Sequence, residues 1–479
     1  MTKRTSIGAA FVMVMWASTA LVHGQSSSRT WALRSIDSTG FVPAERLELT
    51  DPLPSDSWWK RTAHNHLFDF SDADRVQNLV VVDPVVQAYV GRIVTGGAEP
   101  ETREWWDNIR GARFQGRIDR KWHLGGELLE RQGIAEPLLG RWAAQYHVPG
   151  WGRSKLGKGG EYATATSAYF DVMLTRGWIG WQQGRWAWDA GVDALHIGAG
   201  RNSAFLSRTA VPSPYLRATR ETATSRTSAW STRWMSTRRG PLGETAESLL
   251  ERTRSLFLTH QHFFGPLLLQ AVYNFSWETT PAVAEGGWER LGFSEGQSYR
   301  PTRHIGGLEL QWHQQIGNSL NATAYAQQSW SWMVSTQSMA TLSQVAGVSL
   351  RGKTWNVRAE LAERTDAHCR ACHIIEDGSF GPVQADLTNA GLSVHSLWQS
   401  STRLEGEWHL REHWTLLGSV ETNELADAWM IDVHYQLQPA WPLRLWIGTG
   451  GANGFAVNTS FEAYRMLRLG VHAGVMNWR

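Results

Sequence analysis

The chain has 479 residues, of which 42% are hydrophobic, 11% are aromatic and 19% are charged. This hydrophobic and aromatic content excludes a wholly disordered chain, and the charged fraction lies below the roughly 25% that soluble globular proteins carry. The 46 Lys and Arg residues against 44 Asp and Glu residues give a net charge of +2, which predicts no strong attraction to nucleic acid. The two cysteines are too few for a secreted scaffold framed by disulfides.

The N-terminus has the pattern of a secretory signal peptide. Lys3 and Arg4 form a basic start, and a mainly apolar run follows over residues 7–22. We predict that residues 1–24 are the signal peptide and that cleavage follows Gly24. A membrane anchor helix is the alternative, although the run is short for a span of about 20 residues. Export would place the mature chain in an oxidising compartment.

Hydrophobicity alternates with a period of two in many later segments, which is typical of strands with one apolar face. The clearest predicted hairpin joins 429–438 to 443–448 through a turn at 439–442. No apolar run of about 18 residues follows the signal peptide, which excludes a bundle of transmembrane helices. Other alternating segments are 186–193, 267–275, 308–313, 322–327, 355–361 and 467–475.

A membrane β-barrel and a soluble β-sandwich both produce this alternation. The barrel is favoured because nearly every predicted strand carries Arg, Asp, Glu, Gln or His on its second face, as a wet lumen allows. Tryptophans also cluster near the predicted strand ends, where they suit a lipid–water interface. We therefore predict an all-β fold, a large antiparallel transmembrane barrel in the Gram-negative outer membrane. Its even strand number should be about 16–20, with about 18 as the expected count.

The segment before the predicted barrel differs in character. Residues 25–108 are predicted to form a small helical periplasmic or plugging element, and residues 109–479 the barrel. Asp56 or Ser57 could cap a short helix, and Pro84 argues against a central strand at that point. A disordered leader is the alternative for this segment.

Several motifs occur in order along the chain, at 58–68, 82–86, 108–119, 148–150 with 162–169, and 196–207 with 212–217. Together they resemble the Wzi-like capsule-assembly outer-membrane barrels, in the Bacteroidetes version that includes gliding-motility-associated proteins. Arg208 departs from the Asp that is usual in that family at this position. The resemblance implies an outer-membrane barrel that attaches or assembles surface polysaccharide, or serves related surface machinery.

The glycine-rich stretch that begins at Gly198 is the candidate ligand site. Glycine allows positive φ and close backbone approach, so Arg201, Asn202 and Ser203 could present hydrogen-bond donors to a ligand. A turn that narrows the barrel and carries solvated polar residues is the structural alternative.

The two cysteines stand in a Cys-x-x-Cys-His string formed by Cys369, Cys372 and His373. In an oxidising compartment a disulfide between Cys369 and Cys372 is the favoured interpretation. The string also has the form of a c-type haem attachment site, with His373 as the axial ligand. Free thiols, or a metal held by these residues with His368, form the third alternative.

No motif for nucleophilic, acid–base or phosphate chemistry stands out, so the chain is predicted to be neither an enzyme nor a cofactor protein. Three functions stay open: a polysaccharide-binding or surface-assembly barrel, a diffusion porin, and a haem-bearing, electron-conducting barrel. The expected partners are outer-membrane lipid and surface polysaccharide, and nucleic acid is not expected. Trp-rich loops suit sugar faces, although an interfacial girdle accounts for most of the tryptophans.

Overall fold

A computed structural model provides the structure of the chain. It describes residues 68–69, 79–95, 102–119, 121–134, 153–154, 169–193, 196–200, 203–205, 213–239, 250–278, 303–317, 319–333, 338–366, 400–411, 413–423, 427–436, 443–457 and 460–473. Among these residues, no helix is long and apolar enough to cross a membrane.

The described residues form 20 β-strands in one sheet. The strands are β1 (Phe68–Asp69), β2 (Leu79–Thr95), β3 (Thr102–Ile118), β4 (Trp122–Ile134), β5 (Arg153–Ser154), β6 (Tyr169–Gln183), β7 (Trp186–Asp193), β8 (Ser213–Glu221), β9 (Ser225–Arg239), β10 (Leu250–Phe264), β11 (Leu267–Glu278), β12 (Arg303–Ile316), β13 (Leu320–Met333), β14 (Ser338–Arg351), β15 (Trp355–Asp366), β16 (Ser400–Arg411), β17 (Trp414–Asn423), β18 (Asp427–Gln436), β19 (Leu443–Val457) and β20 (Ser460–Ala473).

β1 and β5 are two-residue bridges attached to β2 and β6. The other 18 strands close into a barrel. Each long strand pairs antiparallel with the next, and β2 pairs with β20 from Val86↔Ala473 to Thr95↔Tyr464. Closure pairs the backbone groups that an open sheet would expose to lipid. The predicted all-β antiparallel barrel is confirmed, and its strand count is the expected 18.

The two ends of the barrel differ in their connections. At the turn end the connections are short, as in the two-residue turns at Gly184 and Gly265, where φ is +60° and +62°. At the opposite, loop end lie the longest connections, over residues 135–168, 279–302 and 367–399. In outer-membrane barrels the short turns face the periplasm and the longer loops face the outside.

Side chains alternate between the two faces as predicted. In the hairpin of β18 and β19, Ile431 is exposed on the outside, whereas the neighbouring Asp432 is buried inside. Trp186 and Trp414 stand outward beside the turn end, where an aromatic girdle is expected. An apolar exterior around a polar interior is the inverse of a soluble sandwich and identifies an outer-membrane barrel. Other exposed outward residues include Leu216, Leu258, Leu308, Val348, Leu361, Leu404, Val420, Leu445, Ile447, Leu467 and Leu469.

The barrel begins before the predicted boundary at residue 109. All of β2 and residues 102–108 of β3 precede that boundary, and β2 is the strand that closes the barrel. Pro84 is paired on one side of β2 only. Its partner on β3 is Ala112, and the pairing of β2 with β20 starts at Val86. A proline lacks an N–H and is tolerated where one side of a strand has no ladder partner. The predicted signal peptide and helix cap lie outside the described residues.

Candidate functional site in the barrel lumen

A buried ionic cluster joins four strands of the inner wall. Glu127 on β4 accepts hydrogen bonds from Arg113 on β3 and Arg176 on β6, at 2.8 Å from Arg113 Nη2 and 2.6 Å from Arg176 Nε. Arg176 Nη1 also lies 3.5 Å from Asp193 Oδ1 on β7. Glu127 and Asp193 are almost fully buried, so the two arginines compensate charges that would otherwise be costly to bury.

A second buried ion pair continues this arrangement along the wall. Arg217 Nε on β8 donates to Asp189 Oδ2 on β7 at 2.8 Å, and both side chains are nearly inaccessible. The charges of this side of the lumen are therefore balanced between neighbouring strands, which leaves little net charge on this part of the inner wall.

Part of the connection between β7 and β8 folds into the lumen. The described residues of 196–205 form this inward segment. The Ala199 N–H donates to Glu309 Oε1 on β12 at 2.7 Å, and the Ala204 N–H donates to Gln327 Oε1 on β13 at 2.9 Å. Gln327 Nε2 donates to the same Glu309 oxygen at 2.9 Å. The wall thus satisfies the backbone donors of Ala199 and Ala204, which lie outside the strands.

Apolar contacts hold the inward segment against the same wall. Ile197 and Phe205 belong to a buried cluster in which the Trp230 and Phe257 rings stack at 4.2 Å between centroids. Ala199, Ala204, Tyr325 and Val345 form a second buried cluster. Burial of these large side chains removes apolar surface from the water of the lumen, which stabilises the inward position. The wall residues of the first cluster are Tyr215, Trp230, Phe257 and Val272.

Gly198 permits the closest approach between the inward segment and the wall. Its φ is +112°, and a Cβ atom at this position would lie 2.4 Å from Gln327 Nε2. Both the backbone conformation and the space therefore require glycine.

Ser203 is the one predicted ligand-binding residue that the structure describes. Its hydroxyl donates to the Ile197 carbonyl and accepts from the Phe205 N–H at 3.0 Å. These hydrogen bonds stabilise the inward segment itself, which is the role expected of Ser203 in a turn that narrows the barrel. Arg201 and Asn202 lie outside the described residues, so their role as ligand donors stays a prediction.

The wall beside the inward segment also carries more accessible polar side chains. On β15 and β16, Arg358 Nη1 and Arg403 Nε each lie 3.1 Å from a carboxylate oxygen of Glu405. The Arg358 and Glu405 side chains are 20% and 24% exposed, whereas Glu309 beneath the inward segment is 1% exposed. Closer to the turn end, His409 lies 3.2 Å from Glu407 and is also exposed. Solvent therefore reaches the turn-side part of β15 and β16, whereas Glu360 and Arg403, further towards the loop end, are buried.

The cysteine string belongs to the connection between β15 and β16. Cys369, Cys372, His373 and His368 lie outside the described residues, and the disulfide, haem and metal interpretations remain predictions. Within the described part of the chain, no three or more His, Cys, Asp or Glu side chains are grouped to hold a metal ion.

The anchors of the inward segment were not identified from sequence. Glu309 and Gln327 were assigned to polar faces of predicted strands, which is correct. Their partners Ala199 and Ala204 lie 110 and 123 positions away, and no local pattern connects such distant residues.

The strand pairing has counterparts among solved structures. No protein-family model and no curated protein matches the chain. Acinetobacter baumannii OccAB2 shares 10% identity with a TM-score of 0.48, covering 82% of this chain and 98% of that one. Pseudomonas aeruginosa OccK1 (OpdK) and OccK2 (OpdF), the latter in complex with glucuronate, each share 10% identity with TM-scores of 0.47, covering 83% of this chain and 98% of theirs. With all three TM-scores below 0.5, the fold assignment rests on the strand pairing itself.

Proposed function

We propose that the protein is a passive diffusion channel for small polar solutes across the outer membrane. The observation that carries the proposal is the unequal filling of the lumen. The inward segment lies against β8–β14, whereas the partly exposed Arg358 and Glu405 side chains lie on β15 and β16, towards the turn end. Barrels of about 16–18 strands are wide enough to leave an aqueous pathway.

The proposed pathway acts by size and polarity. A hydrated solute exchanges some of its water for the polar groups of β15 and β16, which keeps the cost of desolvation low. The inward segment reduces the free cross-section, so large solutes are excluded. Because Glu405 is bracketed by Arg358 and Arg403, fixed charges of both signs face the pathway, and selectivity for charge should be weak.

The family resemblance implies a different function, the attachment or assembly of surface polysaccharide. Ser203, one of the residues predicted to bind such a ligand, instead forms hydrogen bonds within the inward segment. The described residues of the lumen do not favour a polymer over a small solute. The polysaccharide role is the alternative that the experiment must distinguish from diffusion.

Two measurements separate these functions. Liposomes containing the purified barrel should swell in neutral solutes at rates that fall steeply with solute size, and liposomes without protein should not. Deletion of the gene should leave the ratio of surface-retained to released polysaccharide unchanged. Absence of swelling together with release of polysaccharide from the deletion strain would reverse the assignment.

A further inference from the structure

The outer surface of β8, β9 and β10 is polar beside the turn end. Arg220, Thr227 and His260 are exposed, and they are direct neighbours across the three strands, in the registers Arg220↔Thr227 and Thr227↔His260. His262 follows two positions after His260, on the same face, with its ring centroid 6.4 Å away. We call these four residues the basic rim patch.

Alternation along the strands places this patch outside the barrel. Thr219 and Gln261, which precede Arg220 and follow His260, are buried on the inner wall. The exposed Leu216 and Leu258 lie on the loop side of the patch and belong to the lipid-facing apolar band. Phe264 stands on its turn side. The patch therefore lies where the hydrocarbon ends and lipid headgroups begin.

The donors of the patch point to an acceptor outside the barrel. Thr227 Oγ1 lies 2.8 Å from His260 Nδ1. When Nδ1 accepts the hydroxyl proton, Nε2 carries a hydrogen and is free to donate outward. Within the described part of the chain, Arg220 has no carboxylate partner. The exterior Arg110 differs, because its guanidinium donates to Glu130 at 2.9 and 3.0 Å.

We propose that the basic rim patch binds the phosphate of an anionic glycerophospholipid in the leaflet at the turn end. Arginine and imidazole N–H groups form charge-assisted hydrogen bonds to phosphate oxygens. The exposed Trp186 ring lies beside Arg220 and the exposed Phe264 ring on the turn side of the patch, as in an interfacial aromatic girdle. An arginine that is neutralised within the protein, such as Arg110, offers no comparable site.

The test uses native mass spectrometry of the purified full-length barrel with added phosphatidylglycerol or phosphatidylcholine. The wild type should retain phosphatidylglycerol in preference to phosphatidylcholine, and excess inorganic phosphate should not displace it, because the acyl chains contribute to binding. Arg220→Gln should lower retention of phosphatidylglycerol by about fivefold, the effect of losing one charge-assisted hydrogen bond. The double variant His260→Gln with His262→Gln should lower it too.

Arg110→Gln is the matched control, since it removes an exterior arginine that Glu130 already pairs, and it should leave retention unchanged. Heat-modifiable gel mobility shows that each variant is folded. Equal retention by wild type and Arg220→Gln, or an equal loss in Arg110→Gln, would overturn the site. Preferential retention of lipid A would also overturn it, since lipid A occupies the opposite leaflet. These results do not depend on whether the lumen conducts.

Discussion

Ala199 and Glu309 are 110 positions apart in the chain, yet the Ala199 N–H donates to Glu309 Oε1 at 2.7 Å inside the barrel. This contact joins an irregular segment to a strand of the wall, and in the proposed channel the position of that segment limits the free cross-section. The same oxygen accepts from Gln327, so a single carboxylate organises both the inward segment and its neighbouring strand.

Glu309→Ala should therefore enlarge the pathway. Loss of the carboxylate leaves the buried Ala199 N–H without its acceptor, which costs about 1–3 kcal/mol of local stability. We expect a higher single-channel conductance and a larger exclusion size in liposome swelling. Glu309→Gln keeps an acceptor oxygen and should behave like the wild type. An unchanged exclusion size in Glu309→Ala would show that the inward segment does not limit the pathway.

Gly198→Val should displace the inward segment for a different reason. A side chain at this position meets the Gln327 amide and has an unfavourable φ, at a cost of about 1–3 kcal/mol. We expect faster proteolysis within the β7–β8 connection and noisier currents. Gly177→Ala is the control, because a Cβ atom there comes no closer than 3.7 Å to its neighbours. Equal proteolysis of the two variants would contradict the expected steric conflict.

Arg217→Met should destabilise the barrel strongly. The substitution leaves Asp189 buried without its partner, which costs about 3–5 kcal/mol. The temperature at which the folded band disappears from a heat-modifiable gel should fall. The double variant Asp189→Asn with Arg217→Met removes the unpaired charge and should recover part of the loss. A single variant as heat-resistant as the wild type would contradict the assigned role of the pair.

Glu405→Gln should change ion selectivity. Arg358 and Arg403 would then face the pathway without their shared carboxylate, so anions should be favoured. The reversal potential in a KCl gradient should shift towards the anion value. Glu130→Gln, on the exterior, is the control and should leave the reversal potential unchanged. A wild-type reversal potential in Glu405→Gln would place the pathway elsewhere in the lumen.

The cysteine string has a direct chemical test. If Cys369 and Cys372 form a disulfide, thiol-alkylating reagents should label the unfolded protein only after reduction, as read by mass spectrometry. The purified protein should show no haem absorbance. A haem band that disappears in Cys369→Ala would overturn the disulfide prediction.

For eight of the 18 long strands, position and faces followed from the sequence because a period of two assigns every side chain to one side of a sheet. The pattern correctly placed Ile431 on the apolar outer face and Asp432 on the polar inner face. The same reasoning failed at Pro84, because its tolerance depends on where β20 stops pairing with β2. Whether a strand edge is covered is a property of the closed barrel and leaves no local signal.

The contents of the lumen could not be predicted in the same way. Phe205 appeared as part of a glycine-rich stretch, and its burial against Trp230 and Phe257 arises only when β9 and β10 curve around it. Polar residues of the inner wall were identifiable as a class. Which of them is buried could not be predicted: Glu309 is covered by one connection, whereas Glu405 is partly exposed.

The central claim is that a continuous aqueous pathway crosses this barrel, and single-channel recording in planar lipid bilayers tests it most directly. Insertion of the purified protein should produce discrete current steps of uniform size that rise with salt concentration and are ohmic at low voltage. Repeated insertion of protein with folded heat-modifiable mobility, without any current step, would contradict the claim.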